Sequence, residues 1–320
     1  MKWGIRVMKS KTSLINRGIL LNDFKRFAWI GVGYLLILLF STPLKIFMLY
    51  SQLENNAAAT GVVLKNGVAV VDVVNGAHEF LRVLQFDTNA AWLQVMSLIF
   101  VPVLTGLLLF RYLQDSHASD MMHVLPVKRE TIYNTHVLAG IIFLFVPLLL
   151  TALTTWALVA GLGIKQVFGN EILTWLGVSL LMNLLFFIVT VAVGMVTGMS
   201  SMQGVLSFIL LFLPSGLSML LLYNVGKFVY GFPYDYYLEQ VTSLSPLIRF
   251  TEVSDNPMGS VEVGIYLASS IVIYFLGRYF YRKRPLESAG NAIVFDILRL
   301  VFTYSVAFCF MLLVGTYFYS

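Results

Sequence analysis

Seven long apolar stretches limit what this chain can fold into. A bilayer core about 30 Å thick is crossed by a helix of about 20 residues. The stretches that reach this length, most of them without an internal charge, are 27–50, 91–110, 137–160, 172–197, 204–224, 261–281 and 297–319. Inside lipid a helix satisfies its own backbone groups. The sequence therefore predicts an all-α polytopic membrane protein with seven spans.

The composition excludes several classes of protein. Only 12% of the 320 residues are charged, 58% are hydrophobic, and the mean hydropathy is +0.83. A soluble domain carries about 25% charged residues. A soluble enzyme, a disordered chain and a nucleic-acid-binding protein are therefore excluded, and no nucleic-acid partner is expected. A lone cysteine, Cys309, excludes a disulfide framework or a cysteine-based metal cluster.

The positions of the charges predict the orientation. With a cytoplasmic N-terminus, the inner segments 1–26, 111–136, 198–203 and 278–299 hold 15 of the 21 lysines and arginines. Ten of the 16 acidic residues then fall outside. The positive-inside rule favours this topology. Because the chain stops at Ser320, directly after the seventh span, we expect it to be a piece of a longer protein.

Three segments outside the spans have distinct patterns. Residues 1–26 are basic and amphipathic, which predicts a helix lying on anionic headgroups, with a solvated basic anchor as the alternative. Asn66-Gly67 between two β-branched runs predicts a small extracellular hairpin, followed by a short helix near 77–84. The aromatic loop 225–260 favours a membrane-interface belt over a substrate-facing vestibule.

Two features within the spans affect helix geometry. Pro214, followed by a serine and a glycine, predicts a kink or a re-entrant break in the fifth span. Gly194 and Gly198 form a G-x-x-x-G pattern, which permits close helix packing.

Catalytic and coupling motifs are missing from the sequence. It contains no G-x-x-x-x-G-K-[ST], H-E-x-x-H or G-x-S-x-G pattern and no intramembrane pair of carboxylates. His117, His123 and His136 lie in or beside one inner loop, where we expect solvated side chains and no zinc site. The span cores contain essentially no ionisable residues, which argues against a proton- or sodium-coupled transporter.

The inner loop between the second and third spans has the composition of a docking helix. It contains Met121, Met122 and Leu125 with Asp120 and His123 at their rim. A proline follows directly and ends the helix. Exposed methionines with charged neighbours suit insertion into a partner's groove. The alternative is a loop that only connects two spans.

Three cytoplasmic stretches resemble a known family. The segment 110–129, which contains D-M-M-H-V-L-P-V-K-R, resembles the coupling-helix segment of ABC-2-type transporter permeases of Gram-positive bacteria. Similar to the same family are I-L-L-N-D-F-K-R-F-A-W-I-G before the first span and Y-R-K-R-P-L-E-S-A-G-N-A-I-V-F after the sixth. The matching residues in the first segment are Phe110, Tyr112, Leu113, Asp120, His123, Leu125, Pro126, Val127 and Arg129.

The resemblance implies a six-helix ABC-2 permease core at 27–281. Residues 1–26 would be its cytoplasmic or interfacial segment, and 282–320 a linker and seventh span. Such a permease, in the bacterial cell membrane, pairs with a second permease copy or paralogue, with cytoplasmic ABC ATPase subunits and with membrane lipids. ATP is bound by the partner, so no enzymatic activity and no cofactor of its own are expected. The expected coupling residues are Asp120, Met121, Met122, His123, Leu125, Pro126, Lys128 and Arg129.

Two other functions stay open at this point. A membrane sensor or scaffold would relay an external antibiotic or envelope signal without transport. An intramembrane enzyme is disfavoured because the catalytic motifs are missing. We expect the permease to move its substrate outward, and an apolar, charge-poor path favours a lipid-like, peptide or amphipathic drug cargo.

Overall fold

The computed structural model describes residues 14–60, 82–124, 126–162, 165–285 and 289–318. Within these ranges the regular structure is entirely helical, with a 3₁₀ turn at Arg111–Gln114. The helices are α1 (Arg17–Ser41), α2 (Pro43–Thr60), α3 (Thr88–Leu109), α4 (Ser116–His123), α5 (Arg129–Gly161), α6 (Lys165–Val196), α7 (Ser200–Phe228), α8 (Tyr234–Thr242), α9 (Pro246–Thr251), α10 (Ser260–Lys283) and α11 (Asp296–Phe318). The expected hairpin around Asn66-Gly67 lies outside the described residues.

Seven helical stretches in the described part of the chain are long and apolar enough to cross a membrane. They correspond one for one to the seven predicted spans. They are Arg17–Gln52, Ala91–Leu109, Arg129–Gly161, Asn170–Val196, Ser200–Phe228, Ser260–Lys283 and Asp296–Gly315. The chain thus has the architecture of a multi-pass helical membrane protein.

The first span differs from the sequence expectation at both ends. Helix α1 begins at Arg17, where the Asn16 side chain accepts from two backbone N–H groups, and it continues into the apolar stretch without interruption. The residues from Arg17 to Arg26, which precede the apolar stretch, are therefore part of the same continuous helix. Thr42 then separates α1 from α2, because Pro43 follows it and disfavours a continuing helix. The Thr42 hydroxyl donates to Gln94 Oε1 at 2.9 Å, which ties this break to α3.

Helix α7 passes through Pro214 without interruption. The expected re-entrant break is wrong, because α7 is helical from Ser200 to Phe228. Proline is tolerated inside membrane helices when neighbouring groups satisfy the freed backbone. The carbonyl that Pro214 leaves without a helical donor is that of Leu210, and the Ser218 hydroxyl instead donates to the Pro214 carbonyl, one turn later, at 2.7 Å. Helices α3 and α5 likewise contain one internal proline each, Pro102 and Pro147.

Helix α6 forms the centre of the bundle. Helices α3, α5, α7 and α10 pack against it, and α1 packs on α5 and α3. Met182, Phe186 and Phe187 on α6 are fully buried. Helix α11 lies at the periphery and packs chiefly against α7, and none of its most apolar window is buried.

Glycines allow close approach between helices, and two of them are Gly140 and Gly194. A Cβ on Gly140 of α5 would lie 2.2 Å from Phe187 Cζ of α6, and one on Gly194 of α6 would lie 2.5 Å from Gln203 Nε2 of α7. The first glycine of the G-x-x-x-G pattern therefore does allow close packing of α6 and α7.

Replacing Gly140 by alanine is expected to destabilise the protein by about 1–3 kcal/mol, because the buried Phe187 ring would have to move in a close-packed core. A Cβ on Gly33 of α1 would meet no neighbouring atom within 4 Å, so Gly33→Ala is the matched control. Thermal unfolding of the detergent-solubilised protein measures both. Equal midpoints for the two variants would contradict the packing at Gly140.

Candidate functional site

Helix α4 is a short, well-capped helix between two spans. It follows the 3₁₀ turn, and Asp115 caps its N-terminus by accepting hydrogen bonds from His117 N and Ala118 N at 3.0 and 3.4 Å. The Val124 N–H bonds back to the Asp120 carbonyl and closes the last turn. The structure therefore contains the helix expected in this loop, at one extremity of the bundle that we call the α4 end.

The exposed face of α4 carries two large apolar side chains among polar ones. Met121 is 72% exposed and Val124 is 83% exposed, with the exposed Asp120 beside them. Ser119 is buried and Met122 is half-buried on the opposite face. Neighbouring residues on a helix point about 100° apart, so the two methionines do not share a face. Grouping Met121 and Met122 on a single docking surface was wrong.

The remaining expected coupling residues fall into three groups. Pro126 and Lys128 are exposed at the start of α5. The whole of Leu125 and the side chain of His123 lie outside the described part of the structure. Arg129 is half-buried, and its Nη1 donates to the Arg284 carbonyl at 3.0 Å. The Arg129 side chain therefore bonds the start of α5 to the residue that follows α10, at the α4 end.

Arg284 connects three segments at the α4 end. It is 5% exposed; one terminal nitrogen donates to the Gly194 and Met195 carbonyls at 2.7 and 3.0 Å, and the other to the Leu113 carbonyl at 3.0 Å. Burial lowers the pKa of Arg284 to about 10, so the guanidinium is still charged at neutral pH. This side chain joins the turn before α4 to the end of α6.

The linker after Arg284 continues this connection through its backbone. Gly290 N and Gly198 O are 2.8 Å apart, as are Gly198 N and Asn291 O, and Val294 N donates to Val196 O at 2.9 Å. The side chains of Gln114, Ser200 and Gln203 add contacts between the 3₁₀ turn and the start of α7. In the sequence Arg284 is an inner cation within the third family-like stretch, and no local pattern predicts that its side chain is buried.

A buried ionisable pair joins α1 to α5. His136 Nδ1 and Asp23 Oδ2 are 2.7 Å apart, and the two side chains are only 2% and 3% exposed. The expectation of a solvated His136 is wrong. Asp23 and His136 both lie just before the apolar stretches 27–50 and 137–160, so the pair does not test the expectation that the span cores contain essentially no ionisable residues. Hydropathy could not reveal the pair because its members are 113 positions apart in the chain.

A cavity of about 290 Å³ separates α4 from the helices behind it. Met122 and Ala118 of α4 form one wall, and the buried Asp23–His136 pair lies on the other side. The lining residues are Asn22, Asp23, Arg26, Phe27, Leu108, Leu109, Arg111, Tyr112, Asp115, Ala118, Met122 and His136. Burial raises the pKa of Tyr112 well above its usual range, so its hydroxyl is neutral. This cavity is lined by both charged and apolar side chains.

At the opposite extremity, Arg249 holds the loop before α10. Its Nε and Nη2 donate to the Glu262 carboxylate at 2.8 and 3.0 Å, and its Nη1 to the Asn256 carbonyl at 2.8 Å. The hydrogen bonds to Glu262 raise the pKa of Arg249. The aromatic loop is exposed there, with Tyr230 fully so and Tyr236 at 62%. Its role as an interface belt stays a prediction.

Among the described residues, no three His, Cys, Asp or Glu side chains are grouped to hold a metal ion. Compared with protein-family models, with curated proteins and with solved structures, the chain gives no match. The fold therefore defines the class alone: a multi-pass helical membrane protein.

Proposed function

We propose that the chain is the permease subunit of an ABC-2-type exporter, driven by separate cytoplasmic ATPases that dock on α4. The observation that carries this proposal is the exposed pair Met121 and Val124 on a short helix whose other side, with Ser119 buried and Met122 half-buried, is turned toward the bundle. Large apolar side chains in an aqueous loop favour a protein partner, and an apolar helix face suits a groove.

The way α4 is held supports transmission of movement. The turn preceding α4 is bonded to α6 through Arg284 and Leu113. Met122 faces the cavity beside α1 and α5. A displacement of α4 by a bound ATPase would therefore be passed to several spans through direct contacts. In this proposal the α4 end is cytoplasmic, as the concentration of arginines and lysines there favours.

The complete transporter would contain a second permease chain, either a copy of this one or a paralogue. ATP would be bound and hydrolysed on the partner subunits. This division of labour agrees with a sequence that lacks a P-loop.

Docking is tested by changing both exposed residues of α4. The variant carrying Met121→Asp and Val124→Asp is expected to bind an ABC ATPase that co-purifies with the wild-type chain at least about 30-fold less, because two apolar contacts of about 1 kcal/mol each are lost. Co-purification from membranes and ATP-dependent export measure the effect. Val229→Asp, at a half-exposed valine after α7 and away from α4, is the matched control.

Two outcomes would contradict the proposal. Undiminished co-purification of the ATPase with the doubly changed protein would exclude α4 as the contact. Binding of an antibiotic to the wild-type protein without any ATP-dependent export would favour the sensor or scaffold.

A further inference from the structure

The cavity behind α4 has the features of a ligand site. We propose that it binds the phosphate group of a membrane lipid from the leaflet surrounding the α4 end. Two arginines belong to its lining, Arg26 on α1 and Arg111 in the 3₁₀ turn. Planar guanidinium groups bind phosphate oxygens with paired, charge-assisted hydrogen bonds.

The acidic residues of the cavity already have partners. The Asp23 carboxylate is bonded to His136, and the Asp115 carboxylate caps α4. In the described part of the chain, neither Arg26 nor Arg111 forms an ion pair; Arg26 lies over the Phe27 ring with 5.2 Å between its Cζ and the ring centroid. The lining therefore contains two guanidinium groups that are not paired with a carboxylate in the described part of the chain, which favours an anionic group.

His136 contributes a further unused polar atom. Its Nδ1 is bonded to Asp23, whereas its Nε2 is buried without a hydrogen-bond partner among the described residues. Buried polar atoms in native proteins are nearly always satisfied by protein, water or ligand. This side chain belongs to the lining of the same cavity.

The position of the cavity favours a lipid over free phosphate. Arg26 directly precedes the first apolar stretch, and Arg111 comes two residues after the end of the second span at Leu109. Both arginines thus lie at headgroup level. Phe27, Leu108 and Leu109 supply an apolar part of the lining. A lipid phosphate, attached to glycerol and acyl chains, would contact both the arginines and the apolar residues of the lining, whereas inorganic phosphate would contact only the arginines.

The test measures lipid binding to the purified chain without any ATPase, so its outcome is independent of the proposed function. Native mass spectrometry of the detergent-solubilised protein with phosphatidylglycerol is expected to show a bound lipid. Arg26→Gln and Arg111→Gln are each expected to weaken this binding about 10-fold, since each removes a charge-assisted contact. Arg17→Gln, at an exposed arginine on the same helix that is not part of the lining, should leave binding unchanged.

A further variant keeps every charge and fills the space. Ala118→Phe places a ring in the cavity wall and is expected to weaken phosphatidylglycerol binding by at least the same factor. Equal losses in Arg17→Gln and the two lining variants would overturn the site, because they indicate general surface attraction. Competition by millimolar inorganic phosphate to the same extent as by added phosphatidylglycerol would overturn the assignment to a lipid.

Discussion

Replacing Arg284 by alanine is expected to destabilise the protein by about 3–4 kcal/mol, measured as loss of thermal stability in detergent. The side chain is 5% exposed and donates to three backbone carbonyls from two separate segments. Hydrogen bonds to a charged group contribute about 1.5–3 kcal/mol each, and the desolvation of the guanidinium offsets part of the sum. In the alanine variant all three carbonyls lose the guanidinium as their charged hydrogen-bond donor.

Two further variants separate geometry from charge at this position. Arg284→Lys keeps the charge but cannot reach carbonyls on both segments with one ammonium group, so most of the loss is expected to remain. Arg282→Ala removes an arginine two positions earlier whose side chain is 65% exposed, and it should cost less than about 1 kcal/mol. Equal stability of Arg284→Ala and Arg282→Ala would contradict the connection described at the α4 end.

Breaking the buried Asp23–His136 pair is expected to have an effect of similar size. Asp23→Ala leaves the imidazole nitrogen without its partner inside the bundle, and such losses cost about 3–5 kcal/mol. Asp120→Ala removes an exposed carboxylate at the same end and is the matched control. Thermal unfolding of both detergent-solubilised variants provides the comparison.

A double-mutant cycle tests whether the pair acts as a unit. The protein carrying both Asp23→Leu and His136→Leu is expected to be more stable than either single variant, because no buried polar partner is left alone. Additive losses from the two changes would show that Asp23 and His136 are independent, contrary to their 2.7 Å separation.

The apolar spans could be predicted because their signal is local. Each needs only an uninterrupted stretch of suitable length, and all seven have a counterpart in the structure. The break between α1 and α2 at Thr42 could also be predicted, because Pro43 follows it. The opposite outcome at Pro214 shows the limit of the rule: α7 stays helical through this proline, and whether a proline interrupts a membrane helix depends on its surroundings.

The candidate site was only partly predictable. The position of α4 followed from its polar composition and the proline after it. The separation of Met121 from Met122 follows from helical periodicity and could have been foreseen. The roles of Arg284, Asp23 and His136 could not, because each depends on contacts between residues about 90 or more positions apart. The distribution of charges along the sequence predicts that such residues lie at the surface, whereas in the folded protein their side chains are buried.

The way Arg284 binds has an evolutionary consequence. All of its hydrogen-bond acceptors are main-chain carbonyls, at Leu113, Gly194 and Met195. Main-chain groups are the same for every amino acid. The side chains at Leu113 and Met195 are thus free to diverge without loss of the connection, while the arginine itself is not. Homologous sequences should therefore keep the arginine at position 284 even where the residues at positions 113 and 195 differ. Those differences should occur without compensating substitutions.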